Sequence, residues 1–240
     1  MEVFDYRTIR RFIGLLALGL PIILIAIALL MGFDVVPSIS EFFYTPAREV
    51  LVGTIGAISI FLFCYNGHPR NEERAKEVWT ERYVTDRVLS LGAAIGALGV
   101  AFFPVKSDLS WSTIPDAMFV QILGETCASH LHKASALTFF VALAWFCLDN
   151  FRRPPVGKVS SPSRLKENRH YKICGVIILA CTVGLVLLGI ASIFLTSLKA
   201  TADEYLVILI LETIALIAFA SAWIVKGKTK SWIRKTFIRS

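Results

Sequence analysis

Six long apolar segments alternate with polar segments along the chain. They cover residues 12–33, 50–66, 88–103, 133–150, 173–195 and 205–225. Lipid cannot hydrogen-bond an exposed backbone, so apolar runs of this length predict helices. The first, fifth and sixth runs have about the 20 residues that a helix needs to cross the hydrocarbon core. The pattern predicts an all-α polytopic membrane protein, with residues 1–240 forming a single six-transmembrane-helix bundle.

The second, third and fourth apolar runs are shorter than a comfortable span of about 20 residues. We expect their helices to extend beyond the apolar stretch, with Arg48, Arg87 and Lys133 reaching towards the interfaces. The third run also contains Gly92 and Gly96 at a spacing that predicts close helix packing.

Charge is distributed very unevenly between the two sets of connecting segments. Of the 25 basic residues, 21 lie in the alternate segments that include both termini, and the other side has Arg48, Lys106, Lys133 and Lys199. Cytoplasmic flanks retain Lys and Arg during insertion. This asymmetry predicts that both termini are cytoplasmic, in a multi-pass protein of the cell inner membrane.

The net charge of +7 does not indicate a nucleic-acid partner. The basic residues follow the topology and form no compact basic fold, while 55% of all residues are hydrophobic. The expected partners are membrane lipids, together with a second copy of the chain or another membrane protein.

Glu212 is the most informative ionisable residue, because it lies about seven residues into the last apolar run. An acid at this depth is costly and is by default a functional-site hypothesis. Arg48 and Glu49, where the second run meets the outer interface, are its expected partners. With Ser38 and Ser40 they form a predicted outward-facing ligand pocket. The alternative is that Glu212 is neutral or paired for structural reasons.

His130 and His132 precede the fourth run on the outer side. Two imidazoles two residues apart converge on one metal only where the backbone is extended, since a helix separates them by about 200°. With Glu125 as an oxygen ligand, they are candidate ligands of a catalytic zinc ion. Solvated or helix-capping histidines are the alternative.

The serines Ser38 and Ser40 and the histidines also suggest a Ser–His–acid nucleophile. No fixed spacing such as GxSxG accompanies them, so the sequence leaves this arrangement as one hypothesis among several.

Several strings resemble a widespread group of bacterial six-span membrane proteins of unknown function. The resemblance covers roughly residues 38–151, and the strings are Ser38–Tyr44 (SISEFFY), Arg48–Gly53 (REVLVG), Phe61–Gly67 (FLFCYNG), Asp86 with Gly96–Pro104 (GALGVAFFP), and His132 with Ala136–Phe140 (ALTFF). It implies six spans and carries no assigned activity.

A remoter resemblance is to the CREST superfamily of membrane hydrolases and receptors. That superfamily uses a Ser, an Asp and three His around zinc in a seven-span fold. Ser38 or Ser40, Asp86 and His130 with His132 match these residue types. The chain departs from the family in its six predicted spans and in lacking an HxxxH pair in the last one, and Asp86 is expected on the cytoplasmic side.

Three functions are consistent with the sequence. In the first, Arg48, Glu49 and Glu212 line a pocket that binds or transports a lipid headgroup, a proton or a small solute. The second is a membrane-embedded zinc hydrolase of lipid ester or amide bonds. The third is a structural or assembly subunit of a membrane complex.

Overall fold

A computed structural model describes residues 6–67, 72–106, 117–154 and 162–227, and in these ranges the chain is helical with no strand. The long helices are α1 (Tyr6–Met31), α2 (Arg48–Phe63), α5 (Asp86–Phe102), α7 (Glu125–Leu148), α8 (Pro162–Phe194) and α10 (Val207–Lys226). The shorter ones are α3 (Glu72–Glu77), α4 (Trp79–Tyr83), α6 (Met118–Leu123) and α9 (Thr196–Glu204). Two 3₁₀ turns, Ser40–Tyr44 and Asn150–Arg152, complete the described elements. The predicted all-α class is confirmed.

The six long helices form a closed ring in which each packs mainly against its neighbours in sequence. Helix α1 contacts α2, α2 contacts α5, α5 contacts α7, α7 contacts α8, α8 contacts α10, and α10 returns to α1. Because consecutive long helices run in opposite directions, the connecting segments collect at two ends. We call these the Ser40 end, which includes Ser40 and Glu125, and the basic end, which includes Arg10 and Lys226.

Within the described ranges, four helices are long and apolar enough to cross a membrane: Arg7–Met31, Glu125–Arg152, Ser163–Phe194 and Val207–Lys226. The predicted lengthening holds for α7, which starts at Glu125, well before its apolar run. Helices α2 and α5, with 16 and 17 residues, begin two residues before their apolar runs, at Arg48 and Asp86, and end inside those runs. At 1.5 Å per residue these two helices span about 25 Å, less than a hydrocarbon core of about 30 Å.

The surface of the ring is unusually apolar. Leu30 is 86% exposed, and Ile95, Ile193 and Phe194 are also largely exposed. Large apolar surfaces of this kind mark membrane or protein contact rather than contact with water. A lipid environment accounts for a ring with so many exposed large apolar side chains.

Small residues bring α5 and α7 together, as the sequence predicted for one of its glycines. A Cβ atom added at Gly96 would lie 2.8 Å from both the Phe139 nitrogen and the Ser135 carbonyl oxygen, which are backbone atoms of α7. At Gly92 the same atom would meet nothing within 4 Å. Only Gly96 of this pair is therefore required by close packing.

Candidate functional site

The segment between α1 and α2 folds inward at the Ser40 end. Val36, Ser38, Ile39 and Phe42 are all buried, and the 3₁₀ turn Ser40–Tyr44 lies within it. An irregular segment at this position must satisfy its own backbone groups, because the apolar surroundings offer no substitute. The contacts that do this also fix the position of Ser40.

Helix α10 holds one side of this segment. The Glu212 Oε2 atom accepts a hydrogen bond from the Ile39 N–H at 2.6 Å, and the Leu209 N–H donates to the Pro37 carbonyl at 2.8 Å. Leu206, just before α10, has φ +53°, a left-handed conformation that leucine rarely adopts. Glu212 thus binds the backbone directly before Ser40.

Helix α7 holds the other side through His132. The His132 Nε2 atom lies 3.0 Å from the Ser40 Oγ atom, and the Nδ1 atom lies 2.6 Å from the Phe103 carbonyl oxygen. His132 is buried, with 5% of its surface exposed. One imidazole therefore joins the 3₁₀ turn to the chain that leaves α5.

The Phe103 carbonyl fixes the tautomer of His132. A carbonyl oxygen can only accept, so Nδ1 must carry a proton and donate it. In the neutral imidazole, Nε2 is then the acceptor and the Ser40 hydroxyl is the donor. A serine that donates to a histidine whose other nitrogen is held by an acceptor is the arrangement of an activated nucleophile and its general base.

The acceptor is itself held in place. The Tyr44 hydroxyl donates to the Val105 carbonyl at 2.8 Å, and the Lys106 N–H donates to the Ser129 Oγ atom at 3.2 Å. These bonds attach residues 103–106 to the 3₁₀ turn and to α7. Ser40, His132 and the Phe103 carbonyl therefore sit in one cross-linked unit.

Ser38, the other predicted serine, has a different role. Its Oγ atom accepts from the Glu41 N–H at 3.1 Å, which closes a local turn. The sequence left the choice between the two serines open. The structure brings only Ser40 to His132.

The predicted pocket of Arg48, Glu49 and Glu212 does not assemble around an ion pair. The Arg48 guanidinium lies over the Phe43 ring, 4.0 Å from its centroid, and Glu49 is exposed. No Arg48–Glu212 pair is present among the described residues, because Glu212 is turned towards Ile39 instead. A groove of about 370 Å³ does lie on this part of the ring, and its lining is apolar: Ile25, Val35, Leu206, Leu209, Ile210, Thr213 and Ile214.

The predicted zinc ligands do not converge either. Because α7 already begins at Glu125, His130 and His132 lie on a helix and point about 200° apart. His130 is exposed, whereas both ring nitrogens of His132 are engaged by Ser40 and Phe103. No group of three His, Cys, Asp or Glu suited to a metal occurs in the described part of the chain. The residues present do not fit the CREST-type zinc site.

Asp86 lies far from His132, as the sequence predicted. It begins α5 at the basic end and accepts a hydrogen bond from the Asn150 side chain at 2.7 Å. The length of α5, about 25 Å, separates it from Phe103 and His132. Asp86 therefore has no part in a site at Ser40.

A second serine–histidine contact was not foreseen from the sequence. The His170 Nε2 atom lies 3.1 Å from the Ser221 Oγ atom and 3.5 Å from the Cys174 Sγ atom. The described residues offer no hydrogen-bond acceptor to its Nδ1 atom, so nothing fixes its tautomer. This pair lacks the orienting group that His132 has, and it supplies a matched control.

Glu212 allows a direct test of its structural role. In Glu212→Leu the Ile39 N–H loses its acceptor, which we expect to destabilise the fold by about 1–3 kcal/mol. Glu212→Gln keeps an acceptor oxygen and is expected to be close to wild type. Thermal unfolding of the detergent-purified variants measures both, at roughly 2–4 °C in Tm per kcal/mol. Equal losses in the two variants would show that the charge of Glu212, and not its acceptor oxygen, matters.

Comparison of the chain with protein-family models, with curated proteins and with solved structures gives no match. The function proposed below is therefore drawn from the geometry of the site.

Proposed function

We propose that this protein is a membrane-embedded serine hydrolase of acyl ester or amide bonds, with Ser40 as nucleophile and His132 as general base. The observation that supports it is the contact of the Ser40 Oγ atom with His132 Nε2 at 3.0 Å, with Nδ1 held by the Phe103 carbonyl. Nucleophile, base and orienting group stand in the order that activates a hydroxyl. A backbone carbonyl takes the orienting position that an aspartate fills in the Ser–His–Asp triad.

The reaction proceeds in two steps. Ser40 Oγ attacks the carbonyl carbon of the substrate while its proton passes to His132 Nε2, and the same proton then goes to the departing alcohol or amine. This leaves an acyl group on Ser40. Water attacks the acyl-enzyme, gives its proton to Nε2, and Ser40 recovers that proton as the carboxylic acid leaves.

Membrane lipids are the proposed substrate class. The dyad of Ser40 and His132 lies at one end of a helix ring with an apolar outer face. Leu209, which binds Pro37 near the dyad, also lines the apolar groove of about 370 Å³. A groove lined almost entirely by aliphatic side chains suits an acyl chain, while the ester or amide of the same molecule would lie nearer the interface.

The topology belongs to the same proposal. We propose six spans with both termini in the cytoplasm, so that Ser40 faces the outer leaflet of the cell inner membrane. The distribution of 21 of 25 basic residues supports this orientation. The closed ring of six long helices supports six spans, because α2 and α5 pack side by side between the longer helices α1 and α7.

The binding or transport function expected from Glu212 stays a prediction. Glu212 would then contact a ligand or proton, and its substitution would alter transport without changing the reactivity of Ser40. In the hydrolase, Glu212 is a positioning residue that holds Ile39. The Glu212→Gln variant separates the two functions, since it keeps the acceptor and loses the titratable proton.

Labelling with a fluorophosphonate probe tests the proposal. These probes react with serines activated by a base, so the wild-type protein in detergent should be labelled and mass spectrometry should place the adduct on Ser40. Ser40→Ala should abolish labelling. Ser221→Ala, which removes the serine of the other serine–histidine contact, should leave it unchanged. Labelling at Ser221, or none in the wild-type protein, would overturn the assignment.

A chelator distinguishes this dyad from the zinc hydrolase expected from the sequence. The dyad uses only side chains and one carbonyl, so labelling of Ser40 should survive prolonged treatment with EDTA. Loss of labelling with EDTA and its return with zinc would favour the metal-dependent alternative.

A further inference from the structure

A second group of polar side chains is buried at the basic end, far from Ser40. It gathers residues from four parts of the ring: Arg10 of α1, Tyr65 just after α2, Tyr171 of α8, and Trp223 and Lys226 of α10. Their aromatic rings pack together, with Tyr65 and Trp223 centroids 5.2 Å apart. The proposed hydrolase makes no use of these residues.

Arg10 is the first cation of the group, and it is buried with 5% of its surface exposed. Its Nε and Nη2 atoms donate to the Tyr65 hydroxyl oxygen at 3.0 and 2.7 Å. A neutral oxygen cannot balance its charge, and no carboxylate pairs with this guanidinium among the described residues. Burying an arginine without a carboxylate partner costs free energy unless another anion binds beside the guanidinium.

Lys226 is the second cation. Its ammonium donates to the Phe151 carbonyl at 2.7 Å and lies over the Tyr171 ring, 5.5 Å from the centroid. Among the described residues, the charged side chains that interact electrostatically with Lys226 are Arg10, Arg164, Asp86 and Glu167. Arg10, which is buried, and Lys226, which is half-buried, therefore bring two basic side chains into one aromatic cluster.

Two neutral donors complete the arrangement. The Tyr171 hydroxyl and the Trp223 Nε1 atom are buried without a hydrogen-bond partner, and their residues are 1% and 0% exposed. The Tyr171 hydroxyl interacts electrostatically with Glu167, Arg10 and Arg164. Buried polar groups in folded proteins are almost always satisfied, so two orphan donors in the same aromatic cluster as Arg10 and Lys226 indicate an acceptor.

We propose that this group binds a phosphate. A phosphate supplies a negative charge and several acceptor oxygens, which is what Arg10, Lys226, Tyr171 and Trp223 lack together. The basic end, on the proposed topology, meets the cytoplasmic leaflet, where lipid phosphates and inorganic phosphate are both within reach. Both sources present the same phosphate group to the site.

The Tyr171→Phe variant tests the site, because it removes only the orphan hydroxyl. Binding of inorganic phosphate to the detergent-purified protein is measured by the rise in Tm, and binding of phosphatidic acid by native mass spectrometry of protein in nanodiscs. If the hydroxyl binds phosphate, its loss should weaken binding about 10-fold or more, as expected for a hydrogen bond to a charged group. Tyr83→Phe, at an exposed tyrosine, should bind as the wild-type protein does.

The two ligands identify the source. Saturation by inorganic phosphate alone indicates a soluble phosphate, and selective retention of phosphatidic acid over phosphatidylcholine indicates a lipid headgroup. If neither binds, or if Tyr171→Phe binds both as tightly as wild type, the proposal is wrong. A higher Tm for Tyr171→Phe without ligand, together with unchanged binding, would show that the hydroxyl is merely an unsatisfied group.

Discussion

Replacing His132 with alanine is expected to slow the reaction of Ser40 with a fluorophosphonate by about 10²–10⁴-fold. Among the described residues, the His132 imidazole is the only group placed to take the Ser40 proton. Its Nε2 atom lies 3.0 Å from the Ser40 Oγ atom. Without it the hydroxyl has its ordinary low nucleophilicity. The rate constant for labelling, followed by in-gel fluorescence over time, measures the effect.

Two further variants distinguish the role of His132 as a general base from its role as a structural contact. His130→Ala, at the exposed histidine two residues earlier, should label at the wild-type rate. His132→Gln keeps a side-chain amide that can bond to its neighbours but accepts no proton at neutral pH, so it should be as slow as His132→Ala with less loss in Tm. A fast His132→Gln would contradict general-base catalysis by His132.

Replacing Gly96 with alanine is expected to destabilise the protein by about 1–3 kcal/mol, the usual cost of overpacking. The added methyl group would meet the Phe139 nitrogen and the Ser135 carbonyl oxygen at 2.8 Å. Both are backbone atoms of α7, so they cannot move aside without separating the two helices. Thermal unfolding in detergent measures the loss.

Gly92→Ala is the matched control for this prediction. It lies on the same helix, and its methyl group would meet nothing within 4 Å. Since alanine favours helix by up to about 1 kcal/mol over glycine, Gly92→Ala should be neutral or stabilising. If the two variants unfold at the same temperature, close packing at Gly96 does not contribute to stability.

The hydrophobic pattern predicted the helices well because it reflects a local constraint. Each apolar run returns as a long helix, since backbone groups in an apolar setting must bond within their own segment. Helices α2 and α5 extend past their apolar runs only at their N-terminal ends. The ends of these two helices depend on how the neighbouring helices pack against them, and a local sequence pattern does not contain that information.

The sequence identified Ser40 and His132 as candidates and kept a serine–histidine nucleophile as one hypothesis among several. His132 was expected to share a metal with His130, and Glu212 to face Arg48. The helical backbone at Glu125–Leu148 separates the histidines. Glu212 turns instead to an amide N–H of the folded segment. The Phe103 carbonyl could not have been found, because a backbone oxygen carries no signal in the sequence.

The sequence by itself determined the helical class, the apolar outer face and the uneven charge of the two ends. These properties follow from the composition of each segment, because each segment interacts locally with water or lipid and forms its own backbone hydrogen bonds. Only the tertiary structure decided that Ser40 meets His132, 92 residues away, and that Arg10, Tyr171 and Lys226 belong to one aromatic cluster. Such contacts depend on how the six helices pack into a ring. The free energy of that packing depends on all six helices together, so no single segment predicts it.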